Sequence, residues 1–310
     1  MILCVTPNPT IDRTVIVPSF GLGSDQQYTQ ILMTAAGKGI NMARAMLTLG
    51  GDPLCAGFLG GYFGRVLDEL AIQDGLQGAW TWVQAETRNS FIFADSSNGT
   101  ATVINEQGPT ILADDWRRLQ ADVLREAVHA DYGCFSGSLP PGVLPEIYGE
   151  LVRALHETGC AVWVDSSGAA LQAAVAAAPI NLKVNGAEAG TLLGIEVNSV
   201  ETALHAATQL QREGNSVAIT LGELGAVLVN ESGRWLAQPP ALLVVSAVGS
   251  GDSFFAGLIT ALAAKLSPQE AMRWAVAAGG ANALSLGAGV FTRHQFEVVL
   301  AETTIHNLSR

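Results

Sequence analysis

Charge is scarce in this chain. Lys, Arg, Asp and Glu make up 14% of its 310 residues, whereas apolar residues make up 49%. That balance excludes a disordered chain and favours a heavily buried core of the α/β or all-α kind. Basic residues are the scarcer sign, 16 against 28 acidic, for a net charge of −12. Binders of nucleic acid or of anionic membranes neutralise phosphates with cations, so the deficit argues against both. It leaves room for a small phosphorylated ligand, which a few backbone N–H groups can hold.

Long apolar runs are missing too. The longest strongly apolar stretch, Phe254 to Ala264, stops at Lys265, short of the roughly 18 residues a membrane-spanning helix takes. The start, MILCVTPNPTID, has no basic segment and meets Pro7 at once. It reads as a first strand rather than a signal peptide, and a cytoplasmic location is expected. The four cysteines (Cys4, Cys55, Cys134 and Cys160) show no CxxC spacing, so reduced core thiols are expected. The five histidines form no HxxxH pair, which argues against a transition-metal site.

What is present is alternation. ILCVT (2–6), PLCAGFLG (53–60), DYGCFSG (131–137), CAVWVD (160–165), INLKVN (180–185) and SVAITLG (216–222) have the length of buried strands. Amphipathic stretches at 114–129, 145–158 and 201–213 lie between them. The series predicts an α/β fold, a mostly parallel doubly wound sheet with helices on both faces. Two regions break it. Residues 12–35 read as short strands without a helix. Residues 88–106 read as a hairpin about Asn98-Gly99. Both are expected to form a small β lid on one domain spanning 1–310. The apolar run 241–245 reads as a further strand, and Ser267-Pro268-Gln269-Glu270 as a helix start.

Five short motifs carry chemistry. In AVGSGDSF (247–254), Gly249 and Gly251 let several N–H groups converge at a helix start, which favours an anion. Asp252 beside such a cradle can take a proton from a hydroxyl; the same residue also makes a good helix cap. In AGKGINMA (36–43), Gly37 and Gly39 expose amides, and Asn41 can bond sugar hydroxyls. Neither a Walker A loop nor a dinucleotide fingerprint is present. NPTID (8–12) ends the first strand with Asp12, placed either to grip a polyol or to close an Asx turn. In KVNGAE (183–188), Lys183 and Asn185 can reach nucleotide phosphates, and Glu188 can hold Mg2+ through water. TLGELG (220–225) is a glycine-spaced turn between strands.

Together the five motifs resemble the ribokinase-like carbohydrate kinases of the phosphofructokinase-B type, in that family's order and over nearly the whole chain. Glu86-Thr87-Arg88, FSGSLPPG (135–142) and VDSSG (164–168) look most like its branch of 1-phosphofructokinases, tagatose-6-phosphate kinases and minor 6-phosphofructokinases. The resemblance implies ATP and Mg2+, and often a homodimer made through the lids. It implies Asp252 as base, with the N–H groups of Gly249, Ser250 and Gly251 as the anion hole. Asp12, Gly37, Gly39, Asn41 and Ser138 would hold the sugar. Arg88 and Lys38 would meet the acceptor's own phosphate. Lys183, Asn185, Thr220, Gly222 and Gly225 would line the ATP side, Asn282 would flank adenine, and Glu188 would serve Mg2+.

One departure bears on the acceptor. The branch usually carries Arg or Lys some twelve residues before the signature's second glycine; here that position is Gln27, and Thr14 to Gly37 holds no Lys or Arg. A charge-assisted hydrogen bond contributes roughly 1.5–3 kcal/mol, so its loss weakens a phosphate contact. Three readings follow: a ketohexose-phosphate kinase; a kinase of an unphosphorylated sugar, polyol or nucleoside; or a non-catalytic sugar or nucleotide sensor, against which the intact GSGD run argues.

Overall fold

The structure is a computed structural model that describes residues 1–23, 25–98 and 100–308. In chain order its elements begin β1 (Ile2–Thr6), β2 (Thr10–Val17), β3 (Gln30–Ala36), α1 (Lys38–Leu49), β4 (Pro53–Gly60), α2 (Gly61–Gln73), β5 (Gln77–Val83), β6 (Arg88–Asp95) and β7 (Ala101–Asn105). Then come α3 (Ala113–Ala127), β8 (Tyr132–Ser136), α4 (Pro145–Glu157), β9 (Ala161–Asp165), α5 (Gly168–Ala177), β10 (Asn181–Asn185), α6 (Gly186–Leu193) and α7 (Val200–Leu210). The last are β11 (Val217–Thr220), β12 (Ala226–Asn230), β13 (Gly233–Gln238), α8 (Ser250–Ala263), α9 (Pro268–Ala283), α10 (Arg293–Glu302) and β14 (Thr304–Asn307).

Ten strands form the large sheet, in the order β14-β13-β12-β11-β10-β9-β8-β1-β4-β5. From β11 to β5 every pairing is parallel, while β12, β13 and β14 pair antiparallel. Helices bury both faces, so the inner strands are apolar throughout rather than alternating. Along β1, Ile2 and Cys4 enter one core and Leu3 and Val5 the other. The first core packs under α1, α2, α8, α9 and α10; the second packs under α3 to α7. α3 shows how: Trp116, Leu119, Val123 and Ala127 make its buried stripe, with Asp114 and Asp115 in its first turn and Arg125 in its last. Cys4, Cys55 and Cys134 face one another across β1, β4 and β8; all four cysteines are free and buried.

The four remaining strands form a separate sheet, β3-β2-β6-β7. These are the two regions that broke the alternation. The turn expected at Asn98-Gly99 lies partly outside the described residues, at Gly99. The strand expected at 241–245 does not form. Pro239 and Pro240 cannot donate to a ladder, and β14 takes the edge of β13 instead. The segment runs exposed toward α8 and is tied at Val245, whose N–H donates to Ala283 O at 2.8 Å. α9 starts as expected, with the Ser267 hydroxyl accepting from Glu270 N. Among the described residues no helix is long and apolar enough to cross a membrane.

Candidate active site

From β1 the chain connects one way through β4 and β5, and the other way through β8 to β11. The crevice at the carboxyl ends of these strands is where an open α/β sheet binds ligands. The starts of α1 and α8 both point into it.

The start of α8 is built on Gly249, whose φ of 82° is left-handed. A Cβ there would stand 2.4 Å from Ala288 Cα, so no larger residue fits. Asn282 holds the turn from beneath. Its Nδ2 donates to Val248 O (2.8 Å), and its Oδ1 accepts from Ser253 Oγ (3.0 Å) and Gly289 N (2.8 Å). Asn282 is fully buried and absent from the lining of the neighbouring cleft. Its amide is engaged in shaping the loop. Ser250 N–H closes a turn onto Ala247 O, and the amides of Gly251 and Asp252 in the first turn have no intrahelical acceptor.

Asp252 is 8% exposed. Asn41 Nδ2 donates to its Oδ2 at 2.9 Å. Burial pushes its carboxyl up to about 6, reinforced by the nearby Asp165 carboxylate and opposed by Asn41, Lys183 and Lys38. Asp165, at the end of β9, is fully buried between two ammonium groups, Lys38 Nζ at 2.9 Å from Oδ1 and Lys183 Nζ at 2.8 Å from Oδ2. Burial alone would raise Asp165; the two lysines overcome it and hold it below the usual carboxylate range. Burial likewise opposes the charge on Lys38, but Asp165, Glu188 and Asp252 keep it above the ordinary lysine value. Lys38 was expected at the acceptor's phosphate; its ammonium instead sits on Asp165, with Glu188 Oε1 3.8 Å away.

Asn185 and Glu188 form a capping box at the start of α6. Asn185 Oδ1 accepts from Glu188 N (2.9 Å), and Glu188 Oε2 accepts from Asn185 N (2.8 Å). The cap uses Asn185 Oδ1 and Glu188 Oε2, while Glu188 Oε1 lies on the side of the Lys38 ammonium. Among the described residues no three carboxylate, thiol or imidazole groups converge as a ready-made metal cage. One carboxylate oxygen suits a cation that keeps most of its water, as Mg2+ does.

Beside Ser250 and Gly251 opens a cleft of about 670 Å3, lined by Thr220, Gly222, Gly225, Val244, Gly279 and Gly280 among others. Gly225 (φ 91°) passes Ala237 O so closely that a Cβ would overlap it. The small residues of α9 serve two faces: Gly279, Gly280 and Ala283 open onto the cleft, while Ala275 and Ala278 let α8 approach at Gly257. The cleft suits a planar, mostly apolar group.

On the other side lies an open hollow of about 520 Å3 whose polar groups come from Asn8, Arg88, Glu106, Gln107 and Ser138, set against Leu139, Pro140, Pro141 and Val143. Arg88 Nε and Nη2 donate to Asn8 O (3.2 and 3.0 Å), and Nη1 to Glu106 O (3.1 Å). Asp12, on β2, is pushed by burial up to about 6 against the pull of Arg88, Arg44 and the Ser90 hydroxyl. Gly37 (φ 116°) and Gly39 pass against Thr6, where a Cβ on either would collide. Sequence reasoning missed two members of the site. Asp165 stood only inside VDSSG, with no spacing to mark it, and Arg44 lies one residue past the AGKGINMA run.

A cleft beside Ser250 and Gly251 and a hollow at Arg88 and Ser138 thus open at the same end of the sheet as the buried Asp252 carboxylate. The model of the pfkB family of carbohydrate kinases matches residues 5–294. The chain is 33% identical to 1-phosphofructokinase of Escherichia coli, covering 97% of this chain and 96% of that protein. It is 30% identical to tagatose-6-phosphate kinase of Staphylococcus epidermidis, over 98% and 99%. The structure of phosphofructokinase-2 from Escherichia coli in complex with substrates and products superimposes with a TM-score of 0.90 at 29% identity, covering 97% of this chain and 98% of that one. The chain belongs to the pfkB family of carbohydrate kinases. It is a phosphotransferase for a sugar or sugar phosphate, with ATP as donor.

Proposed function

We propose that the acceptor is a ketohexose phosphate and that Asp252 is the general base. The observation that carries the reading is the state of Asp252. It is buried at the first turn of α8, one oxygen is held by Asn41, and no described residue bonds the other. That free oxygen takes the proton of the acceptor hydroxyl. The hydroxyl oxygen attacks the γ-phosphorus, and ADP leaves with the bridging electron pair. The N–H groups of Gly251 and Asp252, with Lys183 close by, meet the charge on the transferred group. Glu188 would hold Mg2+ through water, and the ion when bound neutralises phosphate charge on ATP.

Asp12, Asn41 and Ser138 face the sugar, with Gly37 and Gly39 allowing its close approach. A guanidinium has five N–H bonds; Arg88 aims three at Asn8 O and Glu106 O, which leaves two for the acceptor's phosphate. The same engagement, with Lys38 on Asp165 and Gln27 in place of a cation, favours a second reading, an unphosphorylated sugar, polyol or nucleoside. ADP release with fructose 1-phosphate, fructose 6-phosphate, tagatose 6-phosphate and their parent sugars separates the two. Turnover of the phosphorylated set alone supports the first; turnover of the parent sugars alone overturns it. ATP binding without turnover of any acceptor would point to a sensor.

A homodimer through the small sheet belongs to the same reading. Leu32, Thr14, Ile92 and Val103 stand side by side across its four strands, on the face that carries Asp12. Leu32 and Val103 are 39% and 48% exposed. A second copy laid on this row would bury it and close the acceptor side from water. Sedimentation of Val103→Lys beside the wild type tests this: the variant is expected to run as a monomer.

A further inference from the structure

Arg44 joins α1 to the small sheet, to the end of α2 and to the backbone beside Gly249, and it has no part in the proposed reaction. Its side chain is 11% exposed. Nε and Nη2 pair with Asp74 (2.9 and 2.8 Å), Nη2 also meets Ala35 O at the foot of the small sheet, and Nη1 donates to Ala288 O (2.9 Å), beside Gly249. Nη1 also lies 3.4 Å from Asn41 Oδ1. Asn41 in turn gives Nδ2 to Asp252.

We infer that Arg44 is a positioning residue: it fixes the Asn41 amide with its oxygen inward and its Nδ2 toward Asp252, and so sets which carboxylate oxygen is left for the acceptor. At 3.4 Å the Arg44 contact is long for a hydrogen bond, but its sign decides the orientation. A guanidinium has no acceptor. Turning the amide over would set NH2 against Arg44 and a carbonyl against the Asp252 carboxylate, two repulsive contacts in place of two attractive ones. The buried surroundings weaken screening and enlarge the difference. Held this way, Asn41 favours the ionised form of Asp252 and leaves one oxygen open. The inference rests on the reading of Asp252 as base.

The test is the pH dependence of kcat in Arg44→Met, Asn41→Ala and the double variant. The charged groups facing Asp252 are Asp165 from β9, Lys183 from β10 and Lys38 from α1, with Glu188 of α6 behind Lys38. None is altered, and substrate titration is common to all variants. Loss of the Asn41 contact should raise the acid limb and lower kcat roughly tenfold to a hundredfold, the scale of one charge-assisted hydrogen bond. Arg44→Met should do the same to kcat at saturating acceptor, with any change in acceptor KM traced to Asp12, on which Arg44 also pulls, and adding it to Asn41→Ala should cost kcat nothing further. Asp74→Asn, which removes the outer ion pair alone, should keep the wild-type limb. If Arg44→Met does not fold, Arg44→Lys replaces it, since an ammonium cannot reach Asn41 and Ala288 O together; the same shift is expected. An unmoved acid limb, or additive losses in the double variant, overturns the inference. Asp252→Asn separates the two levels: if it keeps turnover, the base reading itself fails, whereas an inactive Asp252→Asn with an unmoved limb in Arg44→Met sinks the positioning role alone.

Discussion

Lys38 Nζ lies 2.9 Å from Asp165 Oδ1, joining the glycine-rich start of α1 to the end of β9. With Lys183 on the other oxygen, one buried carboxylate holds two cations at the phosphoryl end of the crevice. Asp165→Asn would leave two lysines side by side over a neutral amide. Breaking a buried pair from one side costs roughly 3–5 kcal/mol. Urea unfolding should show a lower midpoint with the slope unchanged.

Asp252→Asn should separate stability from activity. The folded carboxyl titrates at about 6, above its ordinary 3.8. Between these values the folded state binds more protons than the unfolded, so wild-type stability falls as pH rises through the window. The amide carries no such cost. At pH 7 the variant should be more stable by roughly 1–3 kcal/mol, while turnover drops roughly 10²- to 10⁴-fold. Thermal melts at pH 4 and pH 7 give the first number and a steady-state assay the second.

The acid limb of wild-type kcat/KM should lie near pH 6, because Asp252 acts as a base only when ionised. Asp12 titrates near the same value. Asp12→Asn should therefore raise acceptor KM and leave the kcat limb of Asp252 in place. A pH series on both proteins distinguishes the two carboxylates.

Asn282→Ala removes three hydrogen bonds from the turn before α8. Each orphaned buried partner costs roughly 1–3 kcal/mol, so a clear fall in Tm is expected, with weaker turnover and no selective loss of ATP affinity. Had Asn282 flanked adenine, ATP affinity would suffer first. Gly249→Ala meets both a left-handed φ and Ala288 Cα at 2.4 Å, and should abolish turnover.

Much of this was legible in the sequence because buried parallel strands are short apolar runs and the glycine-rich turns announce helix starts. The β4 run was read to its limits. β5 was missed because an edge strand exposes half its residues, as Gln77 and Trp82 do, and so loses the apolar signature. The run 241–245 misled for the opposite reason, being apolar yet cut from the sheet by Pro239 and Pro240. Asp165, Arg44 and the pairing of Lys38 with Asp165 were out of reach. Each is defined by a partner far along the chain, and charge pairing across a fold leaves no spacing to read.

The most direct test is 31P NMR of reaction mixtures containing ATP and one ketohexose phosphate at a time. The account predicts a bisphosphate product and ADP with at least one of fructose 1-phosphate, fructose 6-phosphate and tagatose 6-phosphate, and no product with Asp252→Asn. A monophosphate formed from a free sugar while every sugar phosphate stays unchanged, or a bisphosphate formed at the wild-type rate by Asp252→Asn, would contradict it.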